Sequence, residues 1–306
     1  MTARAVVVTS CDRKYLPLAR GLALSLRACG LPSPDIDLAF LGFDLGASDA
    51  ASLSALGMRV TEIPQARRWL EGMPALKSYN VAQMVRPYLP EVLAGYEAYL
   101  WLDGDTWVQE GRSVLLFIEG ALAYRDRVVA CPELDVSYGY MTESLSRSID
   151  NLARLYGLYY GAQAGRRLAD RPMVNSGAFA MAAANPIWAA WRSEVDTLYA
   201  GSYGADQDAA LHMAEQLSLN RLIQERSALL PLPAANNYIC SLQLPMRHPS
   251  TGKVCISYPP HEPIGIVHLS RFAEMRPHYL ERGLMFDRGS YLTAEERAQL
   301  DGWQAA

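Results

Sequence analysis

The feature that most constrains this chain is an apolar run that ends in acid. Tyr99-Leu-Trp-Leu102 has the make-up of a buried strand, and it stops abruptly at Asp103, with Gly104 and Asp105 behind it. Ahead of it, short apolar runs alternate with stretches of helical periodicity. Residues 5–9 are β-branched and apolar, as strands inside a parallel sheet are. Tyr15, Ala19, Leu22, Ala23 and Leu26 then recur at helical spacing, with Gly30 placed to cap the C-terminus. Strands are expected at 36–41 and 59–63, with a short helix at 48–56 between them. Residues 81–93 are helical in pattern, and Pro87 and Pro90 should kink or divide that helix. This alternation predicts an α/β fold whose central, mostly parallel sheet is flanked by helices, with ligands at the C-terminal ends of the strands.

The remainder continues in the same style. A strand is expected at 128–131, an amphipathic helix near 145–158, and a small-residue strand at 176–182. Helices are expected at 186–199, opened by Pro186, and at 206–219. Late strands should lie at 253–257 and 265–269, and Thr293 with Glu296 has the spacing of a capping box for a short terminal helix. No repeat or low-complexity linker interrupts the 306 residues, so one domain with inserted segments is the natural organisation.

Composition narrows the function. The formal charge of −4 offers no basic field for a nucleic-acid backbone. No run approaches the roughly 18 apolar residues of a transmembrane helix, and the N-terminus has no signal-peptide core. Five cysteines, none in a CxxC pair, indicate neither a disulfide framework nor a zinc knuckle. The chain reads as cytoplasmic, with peripheral docking at an inner membrane as the variant its mixed-charge C-terminus does not support.

The chemistry centres on Asp103-Gly104-Asp105. Two carboxylates around a glycine can address one hard cation, magnesium or manganese. Three Asp-x-Asp pairs occur, at 35/37, 103/105 and 206/208, and about one is expected by chance in a chain this rich in aspartate. Position separates them, because only Asp103 and Asp105 close an apolar strand after a βαβαβ unit. Asp35 and Asp37 fit a solvated turn.

A strand-ending Asp-x-Asp of this kind resembles the GT-A glycosyltransferases, and further segments resemble their family 8. Residues 7–12 with Tyr15 and Ser25-Leu26 are similar to that family's first strand, nucleotide loop and first helix. Arg86 in Met84-Val-Arg86 stands 17 residues before Asp103, like the family's donor-site arginine. Val174-Asn-Ser-Gly177 matches its Asn-(Ser/Ala)-Gly strand, Asp206-Gln-Asp208 its Asp-Gln-Asp, and Val267-His268 the late strand with a third metal ligand. The match runs in order over residues 5–275.

The resemblance implies a metal-dependent bacterial hexosyltransferase that moves a hexose from a UDP-sugar to a hydroxyl acceptor with retention of configuration. Asp103, Asp105 and His268 would hold Mn2+ or Mg2+. Thr9, Ser10, Cys11, Asp12, Tyr15, Lys77, Arg86, Gly104, Asn175, Ser176 and Gly177 would meet the donor. Gln207 and Asp206 would be catalytic. Gln207, being neutral, suits same-face attack better than double displacement, and Asp206 would contact sugar hydroxyls. The acceptor would be a carbohydrate, a lipid-linked glycan or a protein. The implied boundaries are one GT-A domain over 1–285, with a nucleotide half at 1–110 and a donor-sugar and acceptor half at 111–285, then a tail at 286–306.

One segment departs from the family. Its late motif runs His-x-x-Gly-x-x-Lys-Pro-Trp, whereas this chain has Arg271 in place of the glycine and Arg276 two residues beyond the lysine position. Arg276 could hold a phosphate in bidentate fashion. The competing enzyme is a sugar-phosphate nucleotidyltransferase, which needs a glycine-rich loop that residues 9–15 do not provide. The non-enzyme alternative is a silent nucleotide-sugar or glycan-binding protein. The bland readings are packing or surface for His212, loop positions for His248, His261 and His278, and a small buried side chain for Cys11. Trp101 and Trp107 suit core or pocket walls. Asn236-Asn237-Tyr238 fits either an acceptor loop or a plain turn.

Overall fold

In the computed structural model, which describes residues 3–73, 75–139 and 145–282, the first strand, β1 (Ala5–Ser10), is buried along its whole length. Successive strand side chains point to opposite faces, so Val6 and Val8 enter one apolar core while Ala5 and Val7 enter the other. A strand covered on both faces has no polar side to show, which explains its uninterrupted apolar sequence. β2 (Ile36–Gly42), β3 (Met58–Glu62) and β4 (Ala98–Leu102) lie parallel with it. β6 (Val128–Pro132), β7 (Val174–Ala182) and β8 (Leu229–Pro231) complete a seven-stranded sheet ordered β3-β2-β1-β4-β7-β6-β8. β7 runs antiparallel to both β4 and β6, and β6 is parallel to β8. The sheet is therefore mostly parallel, as expected.

Helices cover both faces. α1 (Leu16–Ala28) and α2 (Ala47–Ala55) fall where periodicity put them. The expected 81–93 helix is divided into α4 (Ser78–Met84), a 3-10 turn at Arg86–Tyr88 and α5 (Leu89–Val92), with Pro87 and Pro90 each in the first turn of a new segment. α3 (Ala66–Gly72) and α6 (Gly111–Ala123) had no expectation. α6 carries two glycines, which weaken a helix, yet Val114, Phe117, Ile118 and Ala121 form a buried stripe at 3–4 residue spacing. Gly120 is there for close approach. A β-carbon on it would stand 3.2 Å from Leu230 and Val129 of the sheet.

The second half adds α7 (Leu145–Tyr160), the unexpected α8 (Ala162–Ala169), α9 (Ile187–Tyr199), α10 (Gln207–Arg226) and α11 (Phe272–Glu281). His278 lies in α11, in a helix and not in the loop expected for it. The late strands are shorter than expected. β11 (Val254–Cys255) pairs with β10 (Met246–Arg247), and β12 (Ile266–His268) lies between β5 (Thr106–Val108) and β9 (Tyr238–Ile239). The terminal helix expected from Thr293 and the 286–306 tail lie outside the described residues. Among the described residues no helix is long and apolar enough to cross a membrane.

Candidate functional site

The site is assembled where the large sheet meets the three-stranded one. β4 ends at Leu102, and the chain turns through Asp103-Gly-Asp105 to become β5 of the small sheet. The turn is held by Thr106, whose amide and hydroxyl both donate to the Asp103 carbonyl, and by the Asp103 amide, which donates to the Gly177 carbonyl at 2.7 Å. Antiparallel pairing of β5 with β12 sets His268 opposite Thr106, and the Leu269 amide donates to the Asp105 carbonyl at 3.0 Å. Register alone thus brings residues 163 positions apart in sequence to one point.

There the ligating atoms of Asp103, Asp105 and His268 all lie within 4.8 Å of one another. His268 Nε2 is 3.4 Å from Asp105 and 4.0 Å from Asp103, while Nδ1 is 3.1 Å from the side-chain oxygen of Asn237. With Nδ1–H donating to Asn237, Nε2 keeps its lone pair for a cation. Burial works against a charge on His268, but the Asp105 and Asp103 carboxylates outweigh it and hold the imidazole pKa above its ordinary value. Gly177 is obligatory beneath this cluster. A β-carbon there would stand 2.3 Å from His268 and 2.8 Å from Asp103.

A buried polar network backs the acidic turn. Arg86, 5% exposed, sends Nη2 to Asp103 at 2.5 Å and Nη1 to Glu215 at 2.6 Å and Ser176 at 2.8 Å. Burial disfavours the guanidinium charge, and Asp103 and Glu215 more than offset it. Its plane also lies over Trp101, whose indole N–H donates to Asp103 at 2.8 Å. Beside it, Gln216 accepts from the Ser176 amide and hydroxyl, and Asn175 donates to Glu133 at 3.2 Å and accepts from Asn237 at 3.3 Å. Burial raises the Glu133 carboxyl to about 7, against the hydrogen bonds from Asn175 and Gln216.

These groups face a cavity of about 590 Å³, within the usual range for a small-molecule site. Ser10, Cys11, Asp12 and Tyr15 line it together with Asp103, Gly104, Asp105 and His268, and Arg86, Asn175 and Ser176 adjoin the acidic turn. The Ser10 hydroxyl is buried there with no partner among the described residues, an open hydrogen-bonding position on the wall. The Cys11 thiol is buried and its pKa is pushed far up by that burial, so it is an inert wall atom. Asp12 caps the 3-10 turn before α1 through the Tyr15 amide and also accepts from the Ser78 hydroxyl.

Other expected residues are elsewhere. Thr9 is buried in β1 behind the cavity wall, and Lys77 points to Asp208 at 2.8 Å in an exposed pair. Asp206 is paired with Arg154 of α7 at 2.7 Å, and Gln207 accepts from the Tyr203 amide and donates to the Gly201 carbonyl. Neither lines the cavity. The acid–amide pair that does is Glu215-Gln216, more than two turns further along α10. Arg276 is buried in α11 away from the cavity, whereas Arg271 lines it with φ +54°, the left-handed backbone that suits the family's glycine. His212 also borders the cavity, exposed and edge-on to Tyr79, a surface packing position as read from the sequence.

Sequence signals for the overlooked residues exist. Glu215 falls in the buried stripe of α10 with Leu211, Ala214, Ser218 and Leu222, a position where a charge needs a reason. Glu133 has no comparable signal, since it simply follows β6.

No family model and no curated protein matches this sequence. Solved structures do. GlyE, a glycosyltransferase of Streptococcus pneumoniae TIGR4, is 14% identical with a TM-score of 0.52, over 100% of this chain and 64% of that one. The galactosyltransferase LgtC, in a complex with donor and acceptor sugar analogues, is 14% identical at TM-score 0.51, over 96% of this chain and 99% of that one. The bifunctional glycosyltransferase WbbM aligns at TM-score 0.51 and 14% identity, over 77% of this chain and 40% of that one. At this identity the likeness concerns architecture, and the mixed sheet with its strand-ending acidic turn is the GT-A glycosyltransferase fold.

Proposed function

We propose that this chain is a metal-dependent, retaining glycosyltransferase of the family 8 type, moving a hexose from UDP to a hydroxyl acceptor. The observation that carries the reading is the Asp103, Asp105 and His268 cluster at the end of β4, lining a cavity together with the adjoining Arg86, Asn175 and Ser176. Two carboxylates and an imidazole oriented by Asn237 fit Mn2+ or Mg2+, the mixed donor set favouring manganese. When bound, such a cation supplies charge neutralisation for a diphosphate leaving group.

The chain's own residues account for the rest. Ser10, Asp12 and Tyr15 surround the nucleoside end, and Arg271, paired with Glu274 in the free chain, turns to the diphosphate in place of Arg276. Arg86 fixes Asp103 toward the cation and Glu215 toward the sugar, so the Glu215 carboxyl meets a sugar hydroxyl in a set geometry. Gln216 takes the role assigned by sequence to Gln207, its amide lining the cavity beside Asn175 and Ser176 and turned to the anomeric carbon. The acceptor oxygen bonds to the anomeric carbon as the bond from that carbon to the diphosphate oxygen breaks. The electron pair leaves with the diphosphate, and the acceptor's proton passes to a phosphate oxygen on the same face. Gln216 is neutral and cannot form a stable glycosyl ester, which favours this course over double displacement.

Calorimetric titration of UDP in the presence of Mn2+ tests the nucleotide and the metal together. Wild type should bind UDP only with the metal present, and Asp105→Ala should lose that binding by about 100-fold or more, as removal of a ligand does. Equal UDP affinity in the variant, or preference for a guanosine or cytidine nucleotide, would defeat the reading. An inverted product from any acceptor found would remove the retaining course.

A further inference from the structure

A second cavity of about 540 Å³ opens beside the first and shares Glu133, Met173, Met213 and Leu242 with it. The two differ in chemistry. The first is floored by carboxylates and an arginine, whereas the second is walled by Ile149, Leu152 and Leu155 of α7, Pro172, and Ala209 and Met213 of α10. On its charged rim Arg154 is held by Asp206 at 2.7 Å. At its edge Leu134 is 39% exposed, and Val136, two residues on, is 90% exposed. Large aliphatic side chains so placed lose nothing in the folded chain when an apolar ligand covers them, and gain from it.

Any acceptor must bring its hydroxyl to the sugar beside Gln216 and Glu133, so the rest of the molecule extends outward across the shared residues. We propose that the acceptor is a glycoside with an apolar aglycone, and that the aglycone lodges between α7 and α10 while the sugar hydroxyl passes Glu133 into the donor cavity. This rests on the glycosyl-transfer reading. It gives the Asp206–Arg154 pair a task. That pair links the start of α10 to α7 at the rim of the apolar cavity. An unsubstituted sugar or a charged peptide would leave the walls of Ile149, Leu152 and Leu155 uncovered.

The experiment uses methyl and n-octyl β-glucosides and β-galactosides, titrated into the full chain below the micelle concentration. Burial of only two or three of the extra methylenes predicts that an octyl glycoside binds about tenfold or more tightly than its methyl counterpart. Leu152→Asp should erase that preference and leave Mn2+-dependent UDP binding unchanged. Leu134→Ser, at an exposed edge where folding is little affected, should reduce the preference by about threefold and guards against misfolding of the first variant. Equal affinity for methyl and octyl glycosides overturns the proposal, as does an octyl preference that survives in both variants. If octyl glycosides bind as expected but UDP does not bind with any metal, the transfer reading fails and the apolar cavity stands by itself.

Discussion

The two walls of the donor cavity are built by different means. The acidic floor is made from strand ends, and its positions are fixed by hydrogen-bond register. Asp103 is tied to Gly177, Thr106 is opposite His268, and His268 is beside Ile239. The adjoining wall is made from one face of α10, where every residue 3, 4 or 7 positions away presents itself in the same direction. A strand end offers one position to a motif. A 20-residue helix offers several turns, and an acid–amide pair can serve from more than one of them. That is why Asp103, Asp105 and His268 converge as their sequence context indicated, while Asp206 and Gln207 sit at the outer end of α10 and Glu215 and Gln216 face the cavity.

The sharpest way to break this comparison is to exchange the two amide positions. Gln216→Ala should cut hexose transfer by about 100-fold, since a polar group aimed at developing charge is typically worth that much. Gln207→Ala, which removes only contacts to the Tyr203 amide and the Gly201 carbonyl, should alter turnover by less than about threefold. Turnover of both variants, measured at saturating donor, decides it. A large loss in Gln207→Ala with none in Gln216→Ala would return the catalytic role to the start of the helix.

What was legible in the sequence follows the same division. β1, β4 and the acidic turn were readable because a strand buried on both faces is an unbroken apolar run, and its end is unmistakable. Late His268 was readable from Val267-His268 by family resemblance, though nothing local predicted that β5 would be its partner. The Asn237 contact to His268 was not, because a side chain that orients a ligand leaves no periodic trace. α6 was missed through its glycines, whose reason, the close approach of Gly120 to β6 and the segment of Leu230, exists only after packing. Arg271 was passed over because an arginine in a glycine position looks like a loss, whereas the backbone keeps the glycine conformation and the side chain brings a guanidinium, paired with Glu274, to the cavity.

Arg271 sharpens the comparison at the strand side, since it follows β12 by only three residues. Arg271→Gly should relieve the left-handed strain, so thermal stability holds or rises by about 1 kcal/mol. The same change should raise the KM for the nucleotide sugar about tenfold, the worth of one charged hydrogen bond to phosphate. Arg276→Ala should behave in the opposite way. Arg276 is 5% exposed and lies outside the cavity, so its loss should lower the melting temperature and leave KM nearly unchanged. The pair of measurements assigns the phosphate contact to one arginine, and a KM effect confined to Arg276→Ala would reverse the assignment.

The smallest effect concerns Glu133, a carboxyl that also follows a strand end, where it meets the amides of Asn175 and Gln216 and the field of His268. Burial lifts its pKa from 4.5 to about 7, and the amides of Asn175 and Gln216 recover only part of the lost hydration. The folded chain therefore holds a proton at Glu133 that the unfolded chain releases, over the window between about pH 4.5 and 7. The stability tied to that proton is complete below the window and disappears as pH rises through it. Glu133→Gln removes the titration but keeps an amide oxygen for Asn175. Its melting temperature, measured with a chelator present, should match wild type near pH 4.5 and exceed it by a few degrees at pH 8, a gain of about 1–3 kcal/mol. If the two curves run parallel across the whole range, Glu133 is ionised at neutral pH. The shared wall of the two cavities would then carry a charge that an incoming hydroxyl must meet.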